Sequence, residues 1–128
     1  MFTRRIALAA LIGMAAFAPV AAMAAKTFDA NSFAEAQKAG VPILVDVSAP
    51  WCPTCQVQKS VLDELYKQPE FKNLVVFEVD FDSRKDVLSK LGVRSQSTLI
   101  VYKGTVEKGR TVGDTNRASI AALLAKTN

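Results

Sequence analysis

The chain is expected to fold as an α/β domain with a central mixed β-sheet flanked by helices. Three observations lead there. Short apolar runs of strand length alternate with longer stretches whose apolar residues recur at helical spacing. The run "PILVDVS" (Pro42–Ser48) is nearly continuously apolar, as in a strand covered on both faces. The segments follow the order βαβαβαββα, which puts helices on both sides of one sheet.

Each element has its own signal. "TFD" at Thr27–Asp29 reads as a short edge strand. Asn31 is expected to cap a helix over Ser32–Ala39, with Phe33 and Ala36 facing inward and Gly40 just past its end. The strand Pro42–Ser48 runs through "APWCPTC" into a helix containing "QVQKSVLDELY", where Val57, Val61, Leu62 and Leu65 fall at helical spacing. Pro69 interrupts that helix, and "NLVVFEVD" (Asn73–Asp80) is the next strand. Ser83 and Asp86 form an expected capping box for a helix ending at Gly92. "STLIVYK" (Ser97–Lys103) and the more polar Val106–Gly113 are strands joined at Gly104. A last helix is expected from about Asn116 to Lys126, through Ile120, Leu123 and Leu124.

The N-terminus has the layout of a secretory signal peptide. Arg4 and Arg5 precede an uncharged run from Ile6 to Ala18, and Ala22-Met23-Ala24 offers a small-residue cleavage site. Residues 1–24 are expected to be removed, leaving residues 25–128 as one domain. A cut after Ala25 is the neighbouring choice. An uncleaved anchor is the competing assignment, but Gly13 and Pro19 make the segment a poor spanning helix. Arg4-Arg5 also admits a twin-arginine export signal. The protein is therefore expected in the periplasm or otherwise exported. Loss of Arg4 and Arg5 takes the basic residues from 16 to 14 against 12 acidic, and the net charge from +4 to +2. The remaining lysines and arginines are dispersed, with no basic and aromatic interleaving, which argues against a nucleic-acid partner.

The two cysteines, Cys52 and Cys55, sit in "WCPTC" behind the one tryptophan. A disulfide three positions apart closes a very small loop and removes little denatured-chain entropy, so it is a weak staple. It suits a pair that opens and closes, with an inert local disulfide as the alternative. Cys52 lies at a helix mouth, where unpaired N–H groups favour a thiolate. Pro53 fits the first helical position and stiffens the loop. Cys52 is thus the expected nucleophile, and Cys55 the thiol that resolves the mixed disulfide. Thr54 faces elsewhere and is expected to contact partners. Trp51 is expected either to plate the rim beside Cys52 or to pack on the sheet.

These segments make the chain recognisable. "ILVDVSAPWCPTC", "LGVRSQSTLIVYKG" and "TVGDTNRASIAALL" resemble the thioredoxin family, and the resemblance covers nearly the whole mature chain, from Phe28 to about Ala125. The resemblance implies a thioredoxin-like sheet with four helices and a thiol–disulfide oxidoreductase that needs no cofactor beyond the Cys52–Cys55 disulfide. Asp46 matches a buried aspartate of the family and would take the proton from Cys55; a charge at the sheet margin is its other assignment. Gln96, Ser97 and Thr98 match the substrate-docking loop.

Two positions depart from the family. Ser97 stands where a cis-proline is usual; a cis bond before serine is costly, so a trans peptide with a rearranged loop and a retained cis bond are both open from the sequence. Without that proline, Cys52 and Cys55 of two chains could meet around bridging zinc or an iron–sulfur cluster. Glu78 stands where a lysine is usual. If it lies near Asp46, it should push one carboxyl pKa upward.

The compact form resembles reducing members of the family. A reductase of protein disulfides outside the cytoplasm is expected, working as a monomer and fed by a membrane thiol relay. A disulfide oxidase or isomerase, or a non-catalytic metal-binding or assembly module, is the alternative.

Overall fold

The computed structural model describes Gly13 and residues 25–128. The expected signal peptide, residues 1–24, otherwise lies outside the described residues. Strands β1 (Lys26–Thr27), β2 (Pro42–Ser48), β3 (Val75–Asp80), β4 (Thr98–Lys103) and β5 (Val106–Val112) form one sheet in the order β1-β3-β2-β4-β5. β1 and β2 run parallel to β3, while β4 runs antiparallel to both β2 and β5. The sheet is mixed, as its sequence order requires.

β2 is buried along its length because both of its faces are covered. Period-two alternation sends Ile43, Val45 and Val47 to one face and Leu44 and Asp46 to the other. The first face packs under α1 (Ala30–Lys38) and α3 (Lys85–Leu91), around Phe28, Phe77 and Ile100. The second packs under α2 (Pro53–Tyr66) and α4 (Arg117–Ala125), around Leu62, Leu99 and Ile120. Asp46 therefore lies on the α2 face of the sheet. That placement puts it on the side of the sheet from which the cysteine helix starts.

The order βαβαβαββα holds, with an added 3₁₀ turn at Pro69–Phe71. Several boundaries differ from expectation. The cap of α1 is Asp29, whose Oδ2 accepts from the Ser32 N–H at 2.9 Å, so Asn31 falls inside the helix. With Asp29 used as a cap, β1 ends at Thr27, although the Phe28 N–H still donates to the Glu78 carbonyl at 2.8 Å. The capping box before α3 does not form. Ser83 Oγ donates instead to Asp80 Oδ2 at 2.7 Å, Arg84 engages Asp86, and the helix starts at Lys85. β3 starts two residues late because the Leu74 N–H closes the 3₁₀ turn onto the Phe71 carbonyl. On α2, Val57 is half exposed; the inward face is Cys55, Gln58, Leu62 and Leu65.

Candidate active site

The site forms where β2 gives way to α2. The Cys52 N–H donates to the Ala49 carbonyl at 3.2 Å, turning the chain through Pro50 and Trp51. Cys52 is then the N-cap of α2, with Pro53 at the first helical position, as the missing proline N–H allows. Cys52 Sγ accepts from the Cys55 N–H at 3.1 Å, so one of the helix's orphan donors is aimed at sulfur. The two cysteines are joined as a disulfide with Cα atoms 5.3 Å apart. Both are buried, with Ala49 and Phe81 packed against them. Pro53 is exposed and Thr54 half-buried. Trp51 is 57% exposed and donates from Nε1 to Asp82 Oδ2 at 2.8 Å, which fixes it on the rim and away from the sheet.

Ser97 closes the site from the β4 side. Its Oγ lies 3.2 Å from Cys52 Sγ and 3.1 Å from Cys55 Sγ. No cis peptide occurs among the described residues, so the Gln96–Ser97 bond is trans. The loop accommodates this by placing Ser97 at φ 63°, the one non-glycine in the left-handed region among the described residues. Its backbone is tied on both sides. The N–H donates to the Val47 carbonyl at 2.8 Å, and the carbonyl accepts from the Gly113 N–H at 3.0 Å and Gln58 Nε2 at 3.0 Å. Proline, with φ near about −65° and no N–H, does not fit this conformation. The neighbouring loop residues are engaged locally. The Gln96 carbonyl accepts from Ser95 Oγ at 2.9 Å, and buried Thr98 donates from Oγ1 to the Ser95 carbonyl at 2.7 Å. Of the expected docking residues, Ser97 is the one whose side chain reaches the sulfurs.

Below the pair, Asp46 and Cys55 line one cavity of about 260 Å³ together with Gln56, Lys59, Glu78 and Asp80. Asp46 pairs in register with Glu78 across β2 and β3. Burial pushes the Asp46 carboxyl from 3.8 up to about 7, and the Glu78 charge adds to the rise while Lys59 opposes it. The raised carboxyl expected from two neighbouring acids is thus Asp46, although desolvation is the larger cause.

Gln58 and Lys59 belong to no motif in the sequence, yet both reach the site. Gln58 is buried and bridges two loops, donating to Ser97 and to the Asp114 carbonyl at 2.9 Å. Its position three residues after Cys55, in phase with Leu62 and Leu65, is the signal that a polar side chain faces the sheet. No group of three or more metal-ligating side chains is clustered among the described residues.

The geometry describes a buried disulfide at a helix N-terminus, with a carboxyl of raised pKa lining a cavity together with the second cysteine. Comparison with known proteins agrees. The thioredoxin family model matches residues 20–126. Thioredoxin 1 of Nostoc sp. is 36% identical over 103 residues, spanning 80% of this chain and 95% of the relative. Thioredoxin Asp f 29 of Aspergillus fumigatus is 36% identical over 101 residues, spanning 78% and 92%. The crystal structure of Trxlp from Edwardsiella tarda superposes with a TM-score of 0.76 at 39% identity, covering 78% of this chain and 97% of that one. The chain belongs to the thioredoxin family, and its Cys52–Cys55 pair is the redox-active disulfide of a protein-disulfide oxidoreductase that works without a cofactor.

Proposed function

We propose that this protein is exported, loses residues 1–24, and reduces protein disulfides outside the cytoplasm as a monomer. Cys52 is the nucleophile and Cys55 the resolving thiol. The observation that carries this order is the N-cap geometry: the Cys55 N–H points at Cys52 Sγ, so the helix end stabilises negative charge on the first sulfur. Asp46 is the proton acceptor for Cys55, supported by their shared cavity and by a carboxyl that titrates near neutrality. Trp51, Pro53 and Thr54 present the rim to the substrate, with the Gln96–Thr98 loop opposite them.

The reducing direction is supported by the compact chain. Only residues 81–84 separate β3 from α3, which leaves no room there for an inserted helical domain. An exported reductase has no access to cytoplasmic reductant, so its electrons come through a membrane thiol relay. The protein should reduce insulin disulfides when supplied with dithiothreitol. It should also fractionate with the exported compartment, at a mass lacking residues 1–24. The potential of the couple decides direction. A value near the about −270 mV of thioredoxin supports reduction, and one near the about −120 mV of strongly oxidising relatives defeats it.

A further inference from the structure

We propose that the Ser97 hydroxyl is a catalytic hydrogen-bond donor that follows the negative charge from one cysteine sulfur to the other. This rests on Cys52 being the nucleophile and Cys55 the resolving thiol. Ser97 Oγ is nearly equidistant from the two sulfurs, at 3.2 and 3.1 Å. In the disulfide neither sulfur carries a hydrogen, so the hydroxyl is the donor in both contacts. The residue is buried, and among the described residues its side chain forms no other hydrogen bond. The hydroxyl is therefore held for sulfur alone.

The backbone shows how firmly it is held. A non-glycine in the left-handed region is strained and persists where its surroundings over-determine it. Here Val47, Gly113 and Gln58 fix both peptide groups of Ser97. The side chain needs only a rotation about its C–O bond to change acceptor. A proline at this position has no such donor.

In the reduced protein the hydroxyl donates to the Cys52 thiolate. That sulfur attacks one sulfur of the substrate disulfide. The substrate S–S bond breaks, a Cys52–substrate S–S bond forms, and the departing substrate thiolate takes a proton from water. Cys55 gives its proton to the Asp46 carboxylate, and the Ser97 hydroxyl turns to the new Cys55 thiolate. Cys55 attacks Cys52 Sγ, the ring disulfide closes, and the second substrate thiolate leaves and is protonated. The substrate gains two electrons and the cysteine pair loses two. The serine proton never leaves its oxygen.

Stabilising the thiolate makes it more abundant and less nucleophilic, and these effects dominate at opposite ends of the pH range. A charge-assisted hydrogen bond is worth enough to change thiolate abundance about tenfold where the thiol form predominates. Ser97→Ala and Ser97→Gly both delete the donor, and glycine adopts the positive φ without strain. Alkylation of the reduced protein by iodoacetamide, followed across pH and assigned by mass, provides the test. In either variant, Cys52 should react about threefold more slowly than wild type below its titration and about threefold faster above it, because nucleophilicity recovers about half of what abundance loses. Crossing profiles support the proposal. Profiles that superimpose, or that differ by one constant factor at every pH, overturn it while Cys52 remains the reactive thiol. First alkylation at Cys55 in the wild type overturns the assignment of the nucleophile, and the proposal with it.

Discussion

Cys52→Ser is expected to reduce insulin turnover to the level of buffer, whereas Cys55→Ser should stop halfway. The difference follows from the helix cap. Cys52 Sγ is the sulfur that accepts the Cys55 N–H, and it sits at the end of α2 where partial positive charge gathers. Removing it removes the attacking group. Removing the Cys55 thiol leaves attack possible but nothing to release the product, so one equivalent of substrate should remain bound through Cys52. Non-reducing mass spectrometry should show that adduct, and dithiothreitol should release it. An adduct that forms with Cys52→Ser instead would invert the assignment of roles.

Asp46→Asn is expected to stabilise the protein while slowing its chemistry. The Asp46 carboxyl titrates at about 7 in the fold because it is buried beside Glu78, against 3.8 in an unfolded chain. Between those values the folded state holds a proton that the unfolded state has lost. Stability therefore falls as pH rises through that window, and the full cost is present above pH 7. The shift corresponds to roughly 4 kcal/mol at its limit. Asp46→Asn should gain little in urea unfolding below pH 4 and about that much above neutrality. The same substitution removes the acceptor for the Cys55 proton and should slow release of the second product thiol by up to about 10²-fold. Formation of the mixed disulfide should be spared. Glu78→Gln should lower the Asp46 midpoint only in part, since burial is the larger cause of its elevation. A stability gain in Asp46→Asn that does not vary with pH would show that ordinary packing, and not titration, is responsible.

The sequence by itself determined the order of the elements and the location of the chemistry. Apolar periodicity distinguished β2 from α2, because a strand covered on both faces is apolar throughout while a helix shows a stripe. The cysteine spacing pointed to a pair that opens and closes, and Pro53 to where the helix begins. The positions of Asp46 and Glu78 in adjacent strands allowed a raised carboxyl to be expected before their register was known.

Other features depended on which of several local options the packed chain chose. Asp29 and Asn31 are both good helix caps, and in the fold Asp29 takes the role, accepting from the Ser32 N–H. Ser83 and Asp86 have capping-box spacing, but Asp80 and Arg84 compete for their side chains and win. Val57 has the apolar character of a core residue, yet the rotation of α2 that seats Cys55 against Ser97 turns Val57 to solvent and Gln58 inward. The hydroxyl between the sulfurs was equally beyond the sequence. Ser97 is 42 residues from Cys55, and its conformation is set by carbonyls and N–H groups from β2, α2 and the end of β5. Local pattern fixes which residues can form a helix, strand or disulfide. Contacts between segments far apart in the chain decide which buried polar atoms meet, because each must find a partner once water is excluded.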